Sequence, residues 1–260
     1  LNLKHSGSGP IKLVAIHGIG SSGTAWKLLQ SKLDSKIDLI TLDLPGHGES
    51  TLEAETKMTP EYLGNLVDQM LKNNGLEKYH LISNSLGGWI SLEMAAKYPD
   101  QVLSVTALAP AGLWHRPRTS RGLLLSFNRY LAIIAGNHID KLLTYKLLRK
   151  IGFGAISPKW QSLSFETCSD AAKSVKRAKG YFKILDATLG RRFDEKISGK
   201  VPVTIIFGDS DNVIPAKDCQ ERSLAPAHSR WIIMENTGHA PMWDNVDAVL
   251  ENLYKTVNLN

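Results

Sequence analysis

A strand-then-helix rhythm constrains this 260-residue chain more than any other feature of its sequence. Short apolar runs, mostly β-branched, occur at Ile11–Ile16, Ile37–Asp43, Tyr79–Ser83, Val102–Leu108, Val203–Phe207 and Trp231–Met234. Sequence of helical period lies between and after them. Runs of this length predict buried strands, and intervening helices predict right-handed βαβ units. The expected fold class is therefore α/β: a mostly parallel central sheet flanked by helices on both faces. One helix start is written out in full. Thr59 is an N-cap, Pro60 sits in the first turn and Glu61 beside it, and Gly75 supplies the stop. Leu63, Leu66, Val67, Met70 and Leu71 form that helix's buried stripe. Further helices are expected at Thr24–Leu33 and Leu86–Tyr98.

The rhythm stops after Pro110. From Leu113 to Gly199 the chain reads as helices alone, at Leu123–Ala135, Ile139–Ile151 and, with breaks, Trp160–Leu189. The same stretch is strongly basic. Residues 115–200 carry 18 Lys+Arg and 6 Asp+Glu, net +12, while the remainder carries −6. We expect residues 1–112 and 200–260 to form the core domain and 113–199 a helical cap inserted above it. The basic block reads as solvated helix faces or as a surface that attracts anionic substrates or anionic membranes. No nucleic-acid-binding motif accompanies it, so nucleic acid is not an expected partner.

Composition excludes several classes. With 43% hydrophobic and 22% charged residues the chain is not intrinsically disordered. No apolar run approaches the ~18 to 20 residues of a membrane span, so no integral membrane segment is expected. Cys168 and Cys219 have neither a disulfide framework nor zinc-ligand spacing. Buried, reduced thiols in a cytoplasmic protein are expected. The first residue is Leu1 rather than Met, so a removed signal segment stays open.

The chemistry-bearing residues fall at the C-terminal ends of the strands, where open α/β sheets place their sites. Ser83-Asn84-Ser85-Leu86-Gly87-Gly88 joins the third run to its helix. A serine with small residues two before and two after, at such a junction, fits a strained turn that exposes Oγ above the sheet. The usual first glycine is here Ser83. The alternative is that Ser85 only caps the helix that follows. A serine nucleophile needs a base held by a carboxylate. His239 follows the last run, and Asp209 and Asp211 follow the fifth, giving the order serine, acid, histidine. His17, His47, His80, His115, His138 and His228 lack that context and are expected to be structural or exposed. Gly18, Gly20 and Gly23 match dinucleotide-loop spacing, with Asp43 ending the next strand, but that reading leaves Ser85, Asp211 and His239 without a role.

Five motifs in register give the chain a resemblance to the α/β-hydrolase superfamily, in its capped, serine esterase-like branch. They are HGIGSSG at 17–23, DLPGHGES at 43–50, SNSLGG at 83–88, GDSDNVIP at 208–215 and GHAPMW at 238–243. The resemblance implies a cap inserted after the sixth-strand position of that fold. It implies Ser85 as nucleophile, His239 as base and Asp211 as its carboxylate, because the family pattern G-x-x-D starts at Gly208; Asp209 is the second choice. It also implies an oxyanion hole from the backbone N–H groups of Leu86 and Ile19, and neither metal nor organic cofactor. A serine nucleophile argues against the haloalkane dehalogenases and soluble epoxide hydrolases of the same fold.

The expected activity is cleavage of small-molecule carboxylic esters through an acyl-enzyme. A carbon–carbon bond hydrolase of ring-fission products, a cofactor-free perhydrolase and a non-catalytic ligand receptor are the alternatives. Ala240 stands where the carbon–carbon hydrolases often carry Trp. Leu113, Trp114, Leu123–Leu125, Phe127, Tyr130 and Leu131 are expected to line an apolar cleft in the cap. Oligomeric state is not legible.

Overall fold

The computed structural model describes residues 1–259, save the side chains of residues 124 and 125. Seven strands form one sheet: β1 (Asn2–Ser6), β2 (Ile11–Ile16), β3 (Ile37–Asp43), β4 (Tyr79–Asn84), β5 (Val102–Leu108), β6 (Val203–Gly208) and β7 (Arg230–Met234). Their spatial order is β1-β3-β2-β4-β5-β6-β7, with β1 antiparallel to β3 and every other pairing parallel. The expected mostly parallel α/β sheet is therefore present.

Alternate residues of one strand feed opposite faces of the sheet. Val14 and Ile16 of β2 pack with α2 (Pro60–Asn73) and α3 (Leu86–Lys97), which bring Leu63, Val67 and Trp89. Leu13 and Ala15 face the other way, towards Leu29 of α1 (Lys27–Gln30) and Val249 and Leu253 of α10 (Val246–Val257). Thr59 accepts the Tyr62 N–H at 3.3 Å, and Pro60 opens α2 as read from the sequence.

Among the described residues the named elements between β5 and β6 are helices: α4 (Leu123–Ala135), α5 (Ile139–Leu142), α6 (Lys146–Phe153), α7 (Phe165–Arg177) and α8 (Tyr181–Thr188). The short α9 (Pro241–Asp244) precedes α10. No helix of the described residues is long and apolar enough to cross a membrane.

One strand was not expected, and two expectations need correction. Strand β1 has no apolar alternation to announce it; it forms because the open edge of β3 offers unpaired backbone groups, and Asn2 is tied to Asp43 and Ser50. The helix expected at 139–151 is two helices. Thr144 Oγ donates to the Lys141 carbonyl at 2.7 Å, so a side chain replaces the helix ladder and the chain turns. The one expected at 24–33 is a short 3₁₀ turn (Gly23–Trp26) running into α1.

Candidate active site

Ser85 sits between β4 and α3 with φ 56° and ψ −117°, a left-handed conformation that a side-chain-bearing residue rarely holds. Its N–H donates to Leu108 O at 3.0 Å, and its carbonyl accepts from Ala111 N at 2.9 Å. The turn also demands close approach. A Cβ on Gly87 would meet Ile16 O at 2.2 Å, and one on Gly88 would meet Pro110 Cβ at 2.6 Å. Ser83 replaces the usual glycine and is fully buried, its hydroxyl without a hydrogen-bond partner among the described residues.

His239 lies in the loop between β7 and α9. Its Nδ1 is 2.8 Å from Asp211 Oδ2, and both side chains are buried. Asp211 Oδ1 accepts the N–H groups of Val213 and Ile214 at 2.8 and 2.9 Å. Burial works to raise the Asp211 pKa, but the neighbouring His239 charge and these hydrogen bonds outweigh it and hold the carboxyl below its ordinary value. Asp209 lies elsewhere: it accepts from Ser210 Oγ and Thr237 N and braces its own loop. Of the two candidate acids, only Asp211 reaches the histidine.

Ser85, His239, Ile19 and Leu86 all line one cleft of about 150 Å³. Among the described residues the N–H groups of Ile19 and Leu86 donate to no protein acceptor, so both are available to a developing oxyanion. Loop 17–23 is held by His17. Its Nδ1–H donates to Gly18 O at 2.7 Å and its Nε2 accepts Leu44 N–H at 3.0 Å, which fixes the neutral tautomer. Burial keeps it neutral by lowering its pKa. Asp43 takes Gly23 N, Glu49 N and Asn2 Nδ2, joining this loop to the next. That structural duty answers the dinucleotide alternative.

Sequence reasoning missed two positioning devices. Asn84 Nδ2 bridges Leu108 O and His239 O at 3.1 and 2.9 Å, coupling the serine's strand to the histidine's loop. Residues 156–159 of the inserted segment form a strap on the same loop. Ile156 O accepts His239 N–H at 2.7 Å, Ser157 Oγ donates to Asp244, and Lys159 Nζ donates to Asp244 O at 2.8 Å. Asp244 Oδ2 in turn accepts Gly238 N–H at 2.8 Å.

The apolar lining is also corrected. Trp114 lines the cleft, but Leu113 belongs to the sheet's core, Leu131 is not in the lining, and Leu123, Phe127 and Tyr130 are exposed. The side chains of Leu124 and Leu125 lie outside the described residues. The cause is Arg129, which turns inward from α4 and caps α7 through Val175 O and Lys176 O at 2.7 and 2.6 Å. Asn128 shares that inward side, and the cleft's wall comes instead from Val175, Tyr181, Ile184, Leu185 and Leu189.

His47 makes one pH prediction. It is buried 5.5 Å from the His17 ring, and burial above all pushes its pKa down to about 3. The unfolded chain takes up this proton below about 6.5, whereas the folded protein resists until about 3. The stabilising effect is therefore complete above pH 6.5 and is lost as pH falls towards 3, at up to ~1.4 kcal/mol per pH unit. Urea denaturation at pH 7 and pH 5 should show a smaller difference in His47→Gln than in the wild type.

A family model described as alpha/beta hydrolase fold matches residues 12–246. Lipase 1 of Psychrobacter immobilis is 27% identical over 247 residues, covering 92% of this chain and 74% of that protein. A pimeloyl-[acyl-carrier protein] methyl ester esterase of Hamiltonella defensa is 28% identical, covering 94% and 92%. The enol-lactonase of Burkholderia xenovorans LB400 superposes with a TM-score of 0.77 at 17% identity, covering 99% of this chain and 96% of that one. That last likeness is one of fold.

Proposed function

The chain belongs to the alpha/beta hydrolase fold family, and from that premise we propose that it hydrolyses carboxylic esters through Ser85, His239 and Asp211. The observation that carries this reading is a strained serine sharing a cleft with a histidine whose Nδ1 is held at 2.8 Å by a buried carboxylate. The ester hydrolases among its relatives support it.

In this mechanism Ser85 Oγ attacks the ester carbonyl and His239 Nε2 takes its proton. The oxyanion is met by the N–H groups of Ile19 and Leu86. Collapse breaks the C–O bond, the alcohol leaves with the proton from Nε2, and the acyl group stays on Oγ. Water, losing a proton to Nε2, then attacks the acyl carbonyl. The acid departs and Oγ regains its proton. Asp211 keeps Nδ1 protonated and compensates the imidazolium charge. Residues 113–199 act as the cap that closes the acyl site. Two free, buried thiols, Cys168 and Cys219, support a reducing compartment such as the cytoplasm.

The test is initial rates on p-nitrophenyl esters from acetate to a long acyl chain. Hydrolysis should peak at a short to medium acyl length, as a cleft of about 150 Å³ requires. A folded protein that cleaves none of them refutes the reading.

A further inference from the structure

The cleft wall contains a cation that, among the described residues, forms no ion pair. Arg118 is half-buried and lines the cleft together with Ser85 and His239. Its guanidinium carbon lies 4.4 Å from the Trp114 ring centroid, so an aromatic shelf holds one face of the group. Among the described residues its guanidinium makes one hydrogen bond, and that is long, from Nη2 to Val213 O at 3.4 Å. Among the described residues no carboxylate lies within ion-pair distance of it.

Neighbouring arginines show what satisfaction looks like here. Arg121 grips Asp186 with two bonds of 2.6 Å, and Arg129 donates to two helix-end carbonyls. Arg118 has neither. A partly desolvated charge without a partner is costly, and a ligand that brings the partner removes the cost. Loss of water contact lowers its pKa and outweighs the attraction of Asp218 and Asp211, neither of which pairs with it directly. A second observation points the same way. The indole Nε1–H of Trp114, a donor on a residue of the lining, is buried and among the described residues has no hydrogen-bond acceptor. Beside the cleft, a groove that Arg118 also lines carries Arg116 and Lys217 against one carboxylate, Asp218, so its net charge is positive and favours anions.

We propose that Arg118 is the anion-recognition residue of this cleft and that the substrate is an ester bearing a carboxylate. A planar guanidinium offers paired N–H groups to the paired oxygens of a carboxylate, while the apolar remainder of the wall, Val175, Ile184, Leu185 and Leu189 among it, takes the hydrocarbon between. This assignment rests on the ester-hydrolase reading of the same cleft.

Four esters test it. Mono-p-nitrophenyl glutarate carries its charge on the acyl side and 4-(butyryloxy)benzoate on the alcohol side; p-nitrophenyl hexanoate and phenyl butyrate are their neutral counterparts. One charged ester should exceed its counterpart in kcat/KM by about tenfold or more, as a charge-assisted hydrogen bond allows. Arg118→Gln should abolish that ratio and Arg118→Lys should recover part of it. A ratio below about threefold for both pairs, or one that survives Arg118→Gln, overturns the proposal. Arg118-dependent inhibition by inorganic phosphate with neither ratio raised would assign the anion to phosphate and overturn the carboxylate. Should the wild type cleave none of the four, the ester reading fails, and titration of glutarate into wild type and Arg118→Gln decides the anion site alone: tighter binding by wild type upholds it, equal binding overturns it.

Discussion

Ser85→Ala is expected to lower kcat for any ester this protein cleaves by about 10⁵- to 10⁶-fold, the scale on which removal of a serine nucleophile acts elsewhere. The residue left behind still binds. Ile19, Leu86 and the cleft wall are untouched, so substrate affinity should change little, and a small residual rate from oxyanion stabilisation should remain. The fold should also remain. Alanine keeps the Cβ and the backbone bonds to Leu108 O and Ala111 N, and Ser85 caps α3 with no side-chain hydrogen bond that the change would break. Thermal unfolding should occur within a few degrees of wild type. More than a tenth of wild-type activity in a folded Ser85→Ala protein would leave the serine with no covalent role.

The second large effect separates the two aspartates. Asp211→Asn should lower kcat about 10⁴-fold, while Asp209→Asn should stay within about threefold of wild type. The geometry explains the size. Oδ1 of residue 211 faces two backbone N–H donors, Val213 and Ile214, so an asparagine keeps its oxygen there and turns its NH₂ towards His239. Two donors would then meet across the 2.8 Å contact unless the ring moves its proton to Nε2. In that tautomer the histidine has no lone pair for the Ser85 proton. Among the described residues Asp209 has no hydrogen bond to His239, and its partners are a loop hydroxyl and loop N–H groups. Steady-state rates for the two variants under one condition decide the matter, and a more severe Asp209→Asn would move the acid to that position.

Much of this was legible because the features concerned are local. The cap of α2 is spelled by Thr59 and Pro60, the strands by β-branched runs, and the serine turn by small residues whose spacing has a steric reason. What escaped is non-local. Strand β1 is recruited by the edge of β3, not by its own side chains. Arg129 looks from the sequence like one more surface charge, and only the arrival of the α7 carbonyls turns it inward, which rotates Phe127 and Tyr130 out to solvent. Asn84 could have been singled out as a polar residue ending a buried strand, a position that demands a partner. Its partner, the His239 carbonyl, is 155 residues away.

The strap at 156–159 bears on how such a protein diversifies. A lineage that exchanges the whole segment between β5 and β6 for a new one, or an engineer who grafts a foreign insert to change substrate range, would remove the backbone acceptor of His239 and the support of Asp244 in the same cut. The recipient would inherit a new pocket and a loosened base. Modularity in this chain therefore has a finer grain than its layout suggests: the parts free to be swapped lie on either side of Ile156–Lys159, and those four residues travel with the His239 loop although they are encoded in the middle of the helical segment between β5 and β6.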